Sequence, residues 1–390
     1  MITLDDIIIA YKTARRNKRR SPDQVEFELH WEANCLQLYE DIVNRCVRPT
    51  AYTFIADSPK PREVFASDMS TRILHHYLDI RLRPLLEKRL SPHTFNNRVG
   101  MGQAACQNAL ISDIYEVTKG FTEDAWIIKI DMSGCFPNIV QDIAYKQLEE
   151  VVLTDYHGAD FDEVIYMLQV CVFSYPTRHC YRKSPYSKWK LIPDEKSIFS
   201  KPDGIAAAIG HLIWQNAVNY YFHEIDEWLI SLGIHFERFV DDFGFVVNSK
   251  TFLLLLPEMR RRLEELGAHI NEHKFYCQHY TKGVEWLGAH IKMDRIYPNE
   301  RIIIRGMQRA AKLNKHIDAA HVEYAISCLN SYLGICKNEN GYNQARRIVR
   351  TLSPKWNEYL HFNRERVCMQ ANTQYTHRNR IINKYKLVAT

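Results

Sequence analysis

Residues 236–247 read Phe-Glu-Arg-Phe-Val-Asp-Asp-Phe-Gly-Phe-Val-Val, which places two adjacent carboxylates between short apolar runs. Aromatic and β-branched residues favour strands, whereas Asp and Gly favour turns. The stretch therefore predicts a β-hairpin in which Asp241 and Asp242, with Gly244, form a tight acidic turn. Two carboxylates beside an apolar sheet need a neutralising partner, and a divalent cation with oxygen ligands fits them well. Taken alone, the same pattern also fits an Asp-rich turn that faces solvent.

A second segment of the same chemistry lies 110 residues earlier. Residues 126–136 read Trp-Ile-Ile-Lys-Ile-Asp-Met-Ser-Gly-Cys-Phe, so an apolar strand delivers Asp131 at its end and Gly134 lets the chain turn. A single Asp after a strand is usually a helix cap. Two acidic strand ends in one chain are what a two-metal phosphoryl-transfer centre requires. The pairing of the two segments therefore favours a catalytic metal site.

The composition is typical of a soluble globular protein with reduced thiols. Of the 390 residues, 46% are hydrophobic and 25% are charged, and no run of eighteen apolar residues predicts a membrane span. The N-terminus lacks a signal-peptide pattern. The ten cysteines include no Cys-x-x-Cys pair, which argues against a zinc site and a disulfide framework. We therefore expect a cytoplasmic protein without membrane association.

Positive charge is concentrated toward the C-terminus. The formal net charge is +5, yet residues 301–390 contain sixteen Lys and Arg against five Asp and Glu. A second basic cluster, Arg-Arg-Asn-Lys-Arg-Arg, occupies residues 15–20. Such segments typically bind phosphate backbones, because neutralising the phosphates releases counterions. The alternative is a solvated helical face.

Helices and short strands share the rest of the chain. Residues 174–203 are predicted to form a hairpin or an ordered loop, residues 283–297 a further hairpin, and residues from 306 onward mostly helices. Strands that carry acids among many helices predict an α+β fold with a helical C-terminal domain. The other predicted helices cover residues 2–20, 24–44, 72–87, 103–118, 141–152, 162–173, 206–229 and 252–266, and the other predicted strands lie near residues 52–55 and 63–65.

In their order along the chain, these motifs resemble those of reverse transcriptases. The resemblance covers nearly the whole chain and is closest to the bacterial enzymes of diversity-generating retroelements and to defence-associated reverse transcriptases. It implies a right-hand polymerase fold with fingers over residues 1–124, a palm over 125–298 that has an insertion at 150–203, and a basic helical thumb over 299–390. The matching segments are residues 60–66, 72–76, 95–100, 130–136, 239–242, 271–274 and 286–288.

The resemblance also implies a two-metal centre and, beside it, an aromatic ring that selects deoxynucleotides. Asp131, Asp241 and the backbone carbonyl of Met132 would hold two Mg²⁺ ions, for which Mn²⁺ could substitute. Asp242 would occupy the adjacent catalytic position. The ring of Phe136 would collide with a ribose 2′-hydroxyl, so deoxynucleotides would be preferred.

Further residues would bind the substrates that the resemblance implies, which are dNTPs together with RNA and DNA as template, primer and product. Arg62 and Arg98 would clamp the triphosphate, since a planar guanidinium makes paired contacts with phosphate. Lys274 would protonate or neutralise the leaving group. The remaining implied positions are Gln215 in the substrate site and Trp286, Leu287 and Gly288 near the primer-grip turn.

One departure from the family concerns the template side. Relatives usually have a Gly-Asn-x-Thr-Ser-Gln-like string, whereas residues 210–215 read Gly-His-Leu-Ile-Trp-Gln. The indole of Trp214 either fills part of the template pocket or packs in the palm core. The first alternative predicts restricted template use, set by a dedicated RNA or by the protein's own side chains. A dedicated non-coding RNA, an accessory protein or a second copy of the chain would be the matching partner.

Several functions remain open at this point. The leading hypothesis is an RNA-directed DNA polymerase in antiphage defence, because the altered template side argues against mutagenic cDNA synthesis in a diversity-generating retroelement. A non-catalytic nucleic-acid-binding scaffold is a further alternative, although unused buried acids would cost stability. A metal-dependent phosphodiesterase would need additional His or acidic ligands near these motifs, and the sequence does not offer them.

Overall fold

The structure is a computed structural model that describes residues 1–16, 21–56, 60–178, 180–293 and 295–372. Most of the basic cluster at 15–20 and the basic C-terminal tail from residue 373 therefore lie outside the described residues. The fold is α+β, as the sequence predicts. The helices are α1 (Leu4–Ala14), α2 (Pro22–Leu29), α3 (Trp31–Val43), α4 (Met69–Arg89), α5 (Gln103–Val117), α6 (Cys135–Asn138), α7 (Gln141–Asp155), α8 (Phe161–Val172), α9 (Tyr186–Trp189), α10 (Leu212–Tyr221), α11 (His223–Ser231), α12 (Leu256–Glu265), α13 (Glu300–Leu313), α14 (Val322–Asn338) and α15 (Tyr342–Arg350).

Within the described residues the strands form four sheets, with the orders β5-β6-β3-β7, β2-β1-β4, β10-β9-β8 and β11-β12. The first sheet contains both acidic segments, because β3 and the β5–β6 hairpin are neighbours in it. The strands are β1 (Ala51–Ala56), β2 (Arg62–Ser67), β3 (Trp126–Asp131), β4 (Cys180–Arg182), β5 (His235–Phe239), β6 (Asp242–Val247), β7 (Tyr276–His279), β8 (Val284–Trp286), β9 (Ala289–Lys292), β10 (Arg295–Pro298), β11 (Leu360–Asn363) and β12 (Cys368–Ala371).

The long helix predicted over residues 206–229 is wrong in the structure. Residues 206–211 are not helical, because the amides of Ala206 and Ala207 donate to the carbonyls of Ile139 and Phe136, both at 2.8 Å. Gly210 has φ +110°, a conformation outside the helical region. Helix α10 begins only at Leu212, and α11 follows as a separate helix. These bonds hold the start of α10 against the segment that contains Phe136.

Three smaller predictions also differ from the structure. The helix predicted over 24–44 is divided into α2 and α3 at His30, which has φ −134° and ψ 37°. The hairpin or loop over 174–203 instead contributes β4, which pairs in parallel with β1. Strands β11 and β12 form an antiparallel hairpin within a segment predicted to be mostly helical.

The chain divides into two compact units that are each built from three segments. The first contains Met1–Gly102, Lys129–Phe245 and Lys250–Tyr276, and the second contains Gln103–Ile128, Val246–Ser249 and the chain from Cys277. In the first unit, α4 is the central helix and packs against α1, α7, α8 and α10.

The core of the second unit is formed mainly by α13, α14, α15 and the β11–β12 hairpin. Ile303, Leu329, Leu333 and Trp356 are buried in this core. A Cβ atom at Gly306 in α13 would lie 2.7 Å from Cδ1 of Ile348 in α15. Glycine at this position therefore lets the two helices approach closely.

Candidate active site

The two adjacent carboxylates lie at the tip of the β5–β6 hairpin. Strand β5 ends at Phe239 and β6 begins at Asp242, so Val240 and Asp241 make the connection. The predicted hairpin with an acidic tip is therefore confirmed. The predicted contribution of Gly244 to the turn is wrong, because Gly244 lies inside β6. The positive φ that the tight turn needs is found at Val240, at +61°.

Asp131 is the last residue of β3, as predicted, and residues 269–271 fix its backbone. Its carbonyl accepts a hydrogen bond from the amide of Asn271 at 2.8 Å, and the amide of Ser133 donates to the carbonyl of His269 at 2.7 Å. Gly134 then turns the chain with φ +61° into the short helix α6. These two hydrogen bonds lie on either side of the β-bridge between Met132 and Ile270, and together they fix the backbone around Asp131.

The three carboxylates interact strongly with one another. Burial raises the pKa of Asp241 to about 6, and the negative charge of Asp131 contributes to this increase. Burial likewise raises the pKa of Asp242, with further contributions from Asp241 and Asp131, and Asp242 shares a hydrogen bond with Asp131. Like charges that share a partly buried site disfavour ionisation, so the cluster needs a cation.

Lys274 supplies part of that positive charge. Its ammonium group forms an ion pair with Asp131, whose side chain is 12% exposed. The side-chain amide of Asn271 donates to the same carboxylate at 3.4 Å. Arg62 and Lys274 both lower the pKa of Asp241, although burial outweighs them. The predicted site residues Arg62, Asp131, Asp241, Asp242 and Lys274 therefore belong to one electrostatic cluster.

A cavity of about 410 Å³ opens beside Asp131. Phe136 lies on its wall together with Met132, so the ring predicted to exclude a 2′-hydroxyl lines the same cavity as Asp131. The basic groups around the cavity are Lys60, Arg62, Lys196 and Lys274. The cavity is lined by these four cations and by two carboxylates, Glu63 and Asp131, so its excess of positive charge is suited to a negatively charged ligand.

The insertion contributes to this cavity, which the sequence did not predict. Residues 191–193, 196 and 198 line it. Glu63 anchors the insertion, because its carboxylate accepts hydrogen bonds from Ser197 Oγ at 2.6 Å and from the amide of Ile198 at 2.8 Å. The Lys-containing, aromatic-rich composition of residues 174–203 was the available signal, but its position in the fold could not be read from it.

The carboxylate cluster fits a hard divalent cation only in part. Over the described ranges, no group of three or more His, Cys, Asp and Glu side chains forms a metal site. Mg²⁺ typically takes one or two carboxylates and completes its octahedron with water and substrate phosphates. Asp131 and Asp241 match such an open site, because both carboxylates are partly buried and the charge of Asp131 acts on Asp241.

Arg98 makes internal contacts. Its Nε forms an ion pair with Glu87 at 2.8 Å, and its Nη1 donates to the carbonyls of Ser91 and Thr94 at 2.6 and 2.8 Å. The side chain is 9% exposed and does not line the cavity. Internal acceptors thus hold Nε and Nη1 of Arg98, and its contact with a triphosphate stays a prediction from the resemblance.

Trp214 and Gln215 occupy opposite environments on α10. Trp214 is 1% exposed, whereas Gln215 faces outward. Helix α10 packs against α4, α7 and α8, which places the indole in the core of the first unit. A ring buried to this extent offers no face to a templating base. The burial therefore favours the packing alternative for Trp214.

The predicted primer-grip residues form a tight turn in the second unit. Trp286 pairs with Ala289 across the β8–β9 hairpin, and Leu287 and Gly288 connect the strands with φ +46° and +84°. Positive φ at both positions is typical of a two-residue hairpin turn. The carbonyl of Leu287 accepts hydrogen bonds from the side chains of Gln103 and Gln107.

The described residues contain no helix that is long and apolar enough to cross a membrane. All ten cysteines are free thiols in the described structure.

Comparison with known proteins assigns a family. Residues 59–291 match the model of the family described as reverse transcriptase (RNA-dependent DNA polymerase). No curated protein matches this chain in sequence. Among solved structures, telomerase from Candida albicans in complex with a TWJ fragment of telomeric RNA has a TM-score of 0.48 and 12% identity, over 86% of this chain and 59% of that chain. Truncated apo telomerase from Candida tropicalis has a TM-score of 0.47 and 12% identity, over 69% of this chain and 60% of that chain.

This chain thus spans about three-fifths of the length of those telomerase chains. The family assignment rests on the sequence match, which covers more than half of this chain and includes both acidic segments. The chain belongs to the reverse transcriptase (RNA-dependent DNA polymerase) family and has the right-hand polymerase fold of that family.

Proposed function

We propose that this protein is an RNA-directed DNA polymerase that adds deoxynucleotides to the 3′-hydroxyl of a primer. The observation that carries the proposal is the convergence of three carboxylates from two distant segments in one electrostatic cluster: Asp131 at the end of β3, and Asp241 and Asp242 at the tip of the β5–β6 hairpin. Burial, together with repulsion among the carboxylates, raises the pKa values of Asp241 and Asp242, and a bound cation would offset both effects. A scaffold that only bound nucleic acid would gain nothing from such a cluster.

Asp131 and Asp241 would hold Mg²⁺ or Mn²⁺ together with the carbonyl of Met132, and Asp242 would support them. When bound, two such ions activate the attacking hydroxyl and stabilise charge on the α-phosphate and the leaving pyrophosphate. The protein's own residues align the reactants. Arg62 lies on the cavity wall, where its fork of donors would hold the triphosphate of a dNTP.

Lys274 would have two tasks in this proposal. Without substrate its ammonium group neutralises Asp131. With ions bound at Asp131, the same group would be free to turn toward the leaving pyrophosphate, since its side chain is 47% exposed. There it would donate a hydrogen bond or a proton. Phe136, on the same wall, would select the deoxyribose.

The test is dNTP incorporation on a primed RNA template in Mg²⁺. We expect extension by the natural chain, and we expect Asp131→Asn and Asp241→Asn to lower the rate at least about a thousandfold, because each removes a metal ligand. Both variants should remain folded, since each substitution lowers repulsion within the cluster. Tight binding of the primed template without any extension would instead support the non-catalytic scaffold.

We also propose a setting in antiphage defence with restricted template use, and mutagenic cDNA synthesis in a diversity-generating retroelement is the second candidate. The support for the first is the altered string at residues 210–215. Because Trp214 is buried, its ring is a weak explanation for restricted template use. A dedicated RNA, an accessory protein or self-association would then have to restrict the template. A template and variable repeat pair beside the gene would favour the second candidate. Sequencing the nucleic acid that the protein makes would identify the template.

A further inference from the structure

A buried arginine lies directly behind the turn that carries Asp241. Arg238 and Asp226 form an ion pair in which both side chains are 0% exposed. Nε of Arg238 donates to Oδ1 of Asp226 at 2.8 Å, and Nη2 donates to Oδ2. The guanidinium carbon is 5.6 and 5.7 Å from the ring centres of Phe222 and Phe243. A charge buried among aromatic rings is costly even when paired, so its presence needs a reason.

The other donors of Arg238 reach three further elements. Nη1 donates to the carbonyl of Val240 at 3.0 Å. Nη2 donates to the carbonyl of Asn219 at 2.8 Å and to Oγ1 of Thr94 at 3.0 Å. The hydroxyl of Thr94 in turn donates to Oδ2 of Asp226 at 3.0 Å. One guanidinium thus connects the loop before α5, helices α10 and α11, and the catalytic turn.

The hydrogen bond from Arg238 to the carbonyl of Val240 links the buried ion pair to the turn that carries Asp241. Val240 has φ +61°, a conformation that β-branched residues rarely adopt because it is strained. Its carbonyl belongs to the same rigid peptide plane as the amide of Asp241. A hydrogen bond to that carbonyl therefore fixes the plane, and with it the direction in which the carboxylate of Asp241 leaves the turn.

The backbone of Arg238 is fixed as well. Its amide donates to the carbonyl of His93 at 2.8 Å, and its carbonyl accepts from the amide of Phe95 at 3.0 Å. A side-chain network extends this anchor, because Asn97 donates to Asn216 at 2.7 Å and Asn216 donates to Asp79 at 2.6 Å. The residues behind the turn are thus held to α4 and α10, so the position of Arg238 is set by the core of the first unit.

We propose that Arg238 is a positioning residue for the reaction: it holds the carbonyl of Val240 so that the strained turn presents Asp241 to the metal. The catalytic part of this inference rests on the proposed function. The effect on divalent-ion binding does not require polymerase activity and can be measured without substrate.

The experiment compares the natural chain with Arg238→Lys. Lysine keeps the charge that pairs with Asp226 but has no fork that also reaches Val240. Mn²⁺ binding is titrated by electron paramagnetic resonance, and kcat and KM for a dNTP are measured in parallel. We expect Mn²⁺ affinity and kcat to fall on the order of tenfold or more, with little change in KM, because one charge-assisted hydrogen bond is lost.

Two further variants separate positioning from simple loss of stability. Leu82→Ala truncates a fully buried residue of α4 outside this network, and it should lower the melting temperature without changing Mn²⁺ affinity. Val240→Gly combined with Arg238→Lys should recover part of the Mn²⁺ affinity, because glycine adopts a positive φ without strain. If Arg238 only stabilised the fold, Mn²⁺ affinity would change only in step with the melting temperature across these variants.

The outcomes are distinct. Natural Mn²⁺ affinity in folded Arg238→Lys overturns the proposal, and so does an equal loss of affinity in Leu82→Ala. If Arg238→Lys does not fold, Thr94→Val is the variant to use, because it removes a single hydroxyl from the network. Weakened Mn²⁺ binding by Thr94→Val supports the proposal, and unchanged Mn²⁺ binding overturns it. If the natural chain binds Mn²⁺ but never incorporates dNTPs, the proposed function fails while the positioning of Asp241 is still decided.

Discussion

Burial raises the pKa of Asp241 from its ordinary value of 3.8 to about 6 in the metal-free protein. Between these values the folded state binds more protons than the unfolded state, so the free energy of unfolding falls as the pH rises. We expect this group to contribute a decrease of up to about 3 kcal/mol in the metal-free protein. Urea unfolding at several pH values between about 4 and 7 measures it.

Asp241→Asn is the matched control, since its side chain does not titrate, and the difference between the two pH profiles isolates this residue. Added Mg²⁺ should reverse the trend in the natural chain, because the ion binds the ionised carboxylate and stabilises the state to which it binds. Identical pH profiles for the two proteins would contradict the burial of Asp241.

Substitution of Phe136 tests a second single-residue role, the selection of dNTPs over rNTPs. Phe136→Ala should increase the use of rNTPs relative to dNTPs, because a ring on the cavity wall beside Asp131 would no longer exclude the 2′-hydroxyl. Parallel incorporation assays with the two nucleotide classes measure the ratio. Phe136→Tyr keeps a ring and should keep the selectivity. An unchanged ratio in an active Phe136→Ala variant would remove Phe136 from sugar selection.

Among the secondary-structure elements, the packing of α10 determines whether Trp214 is a core residue or fills part of the template pocket. Trp214→Ser should lower the free energy of unfolding by about 3–5 kcal/mol, because it empties the space of a buried indole in the core of the first unit. We expect no new use of arbitrary templates. Urea unfolding and extension on heteropolymeric templates are the two measurements. Trp214→Phe should lose less stability, and efficient new template copying by Trp214→Ser would restore the occlusion hypothesis.

Strong local patterns made the catalytic elements predictable from sequence. The apolar runs around Asp131 and Asp241 are rich in β-branched and aromatic residues, and Asp131 is found at the end of β3 and Asp241 in the turn between β5 and β6. The division between α10 and residues 206–211 was not predictable, because distant backbone groups at 136–139 bind those amides. A helix pattern cannot reveal a competing partner that lies 70 residues away in the chain.

Side-chain roles were predicted less well than strand ends. Arg62 and Arg98 look alike in sequence, but Arg62 lines the cavity whereas Arg98 binds Glu87 and two carbonyls. Arg238 stands three residues before Asp241 and received no role from sequence, although it forms a fully buried ion pair with Asp226 and donates to the carbonyl of Val240. Burial and hydrogen-bond partners distinguish these arginines, and both depend on tertiary structure.

For the whole molecule, the basic C-terminal segment predicts salt-dependent binding of nucleic acid. On α13, the exposed residues Arg301, Arg305 and Lys312 lie on one face of the helix. Changing all three to Gln should make the slope of log affinity against log salt shallower by up to about 2.7, because each phosphate contact contributes about 0.9. Fluorescence anisotropy with a labelled duplex at several salt concentrations measures the slope.

The control changes the exposed residues Lys12, Lys88 and Lys146 to Gln, which removes the same charge from the first unit. Equal effects in the two triple variants would mean that total charge, and not the C-terminal segment, determines binding. Substitution is preferable to deletion of 301–390, because the deletion would also remove most of the core around Leu329 and Trp356.

The interleaved segments of the two units also set the order in which a ribosome can complete the active site. Asp131 emerges long before Asp241 and Lys274, and at about 5–20 residues per second the interval to Lys274 is roughly 7–30 s. Until β6 emerges, β3 lacks both of its neighbours in the sheet, and until β7 emerges one of its edges remains open to pairing with other chains. Nascent chains that stall before β7 are therefore expected to depend on chaperones and to be inactive, whatever their length.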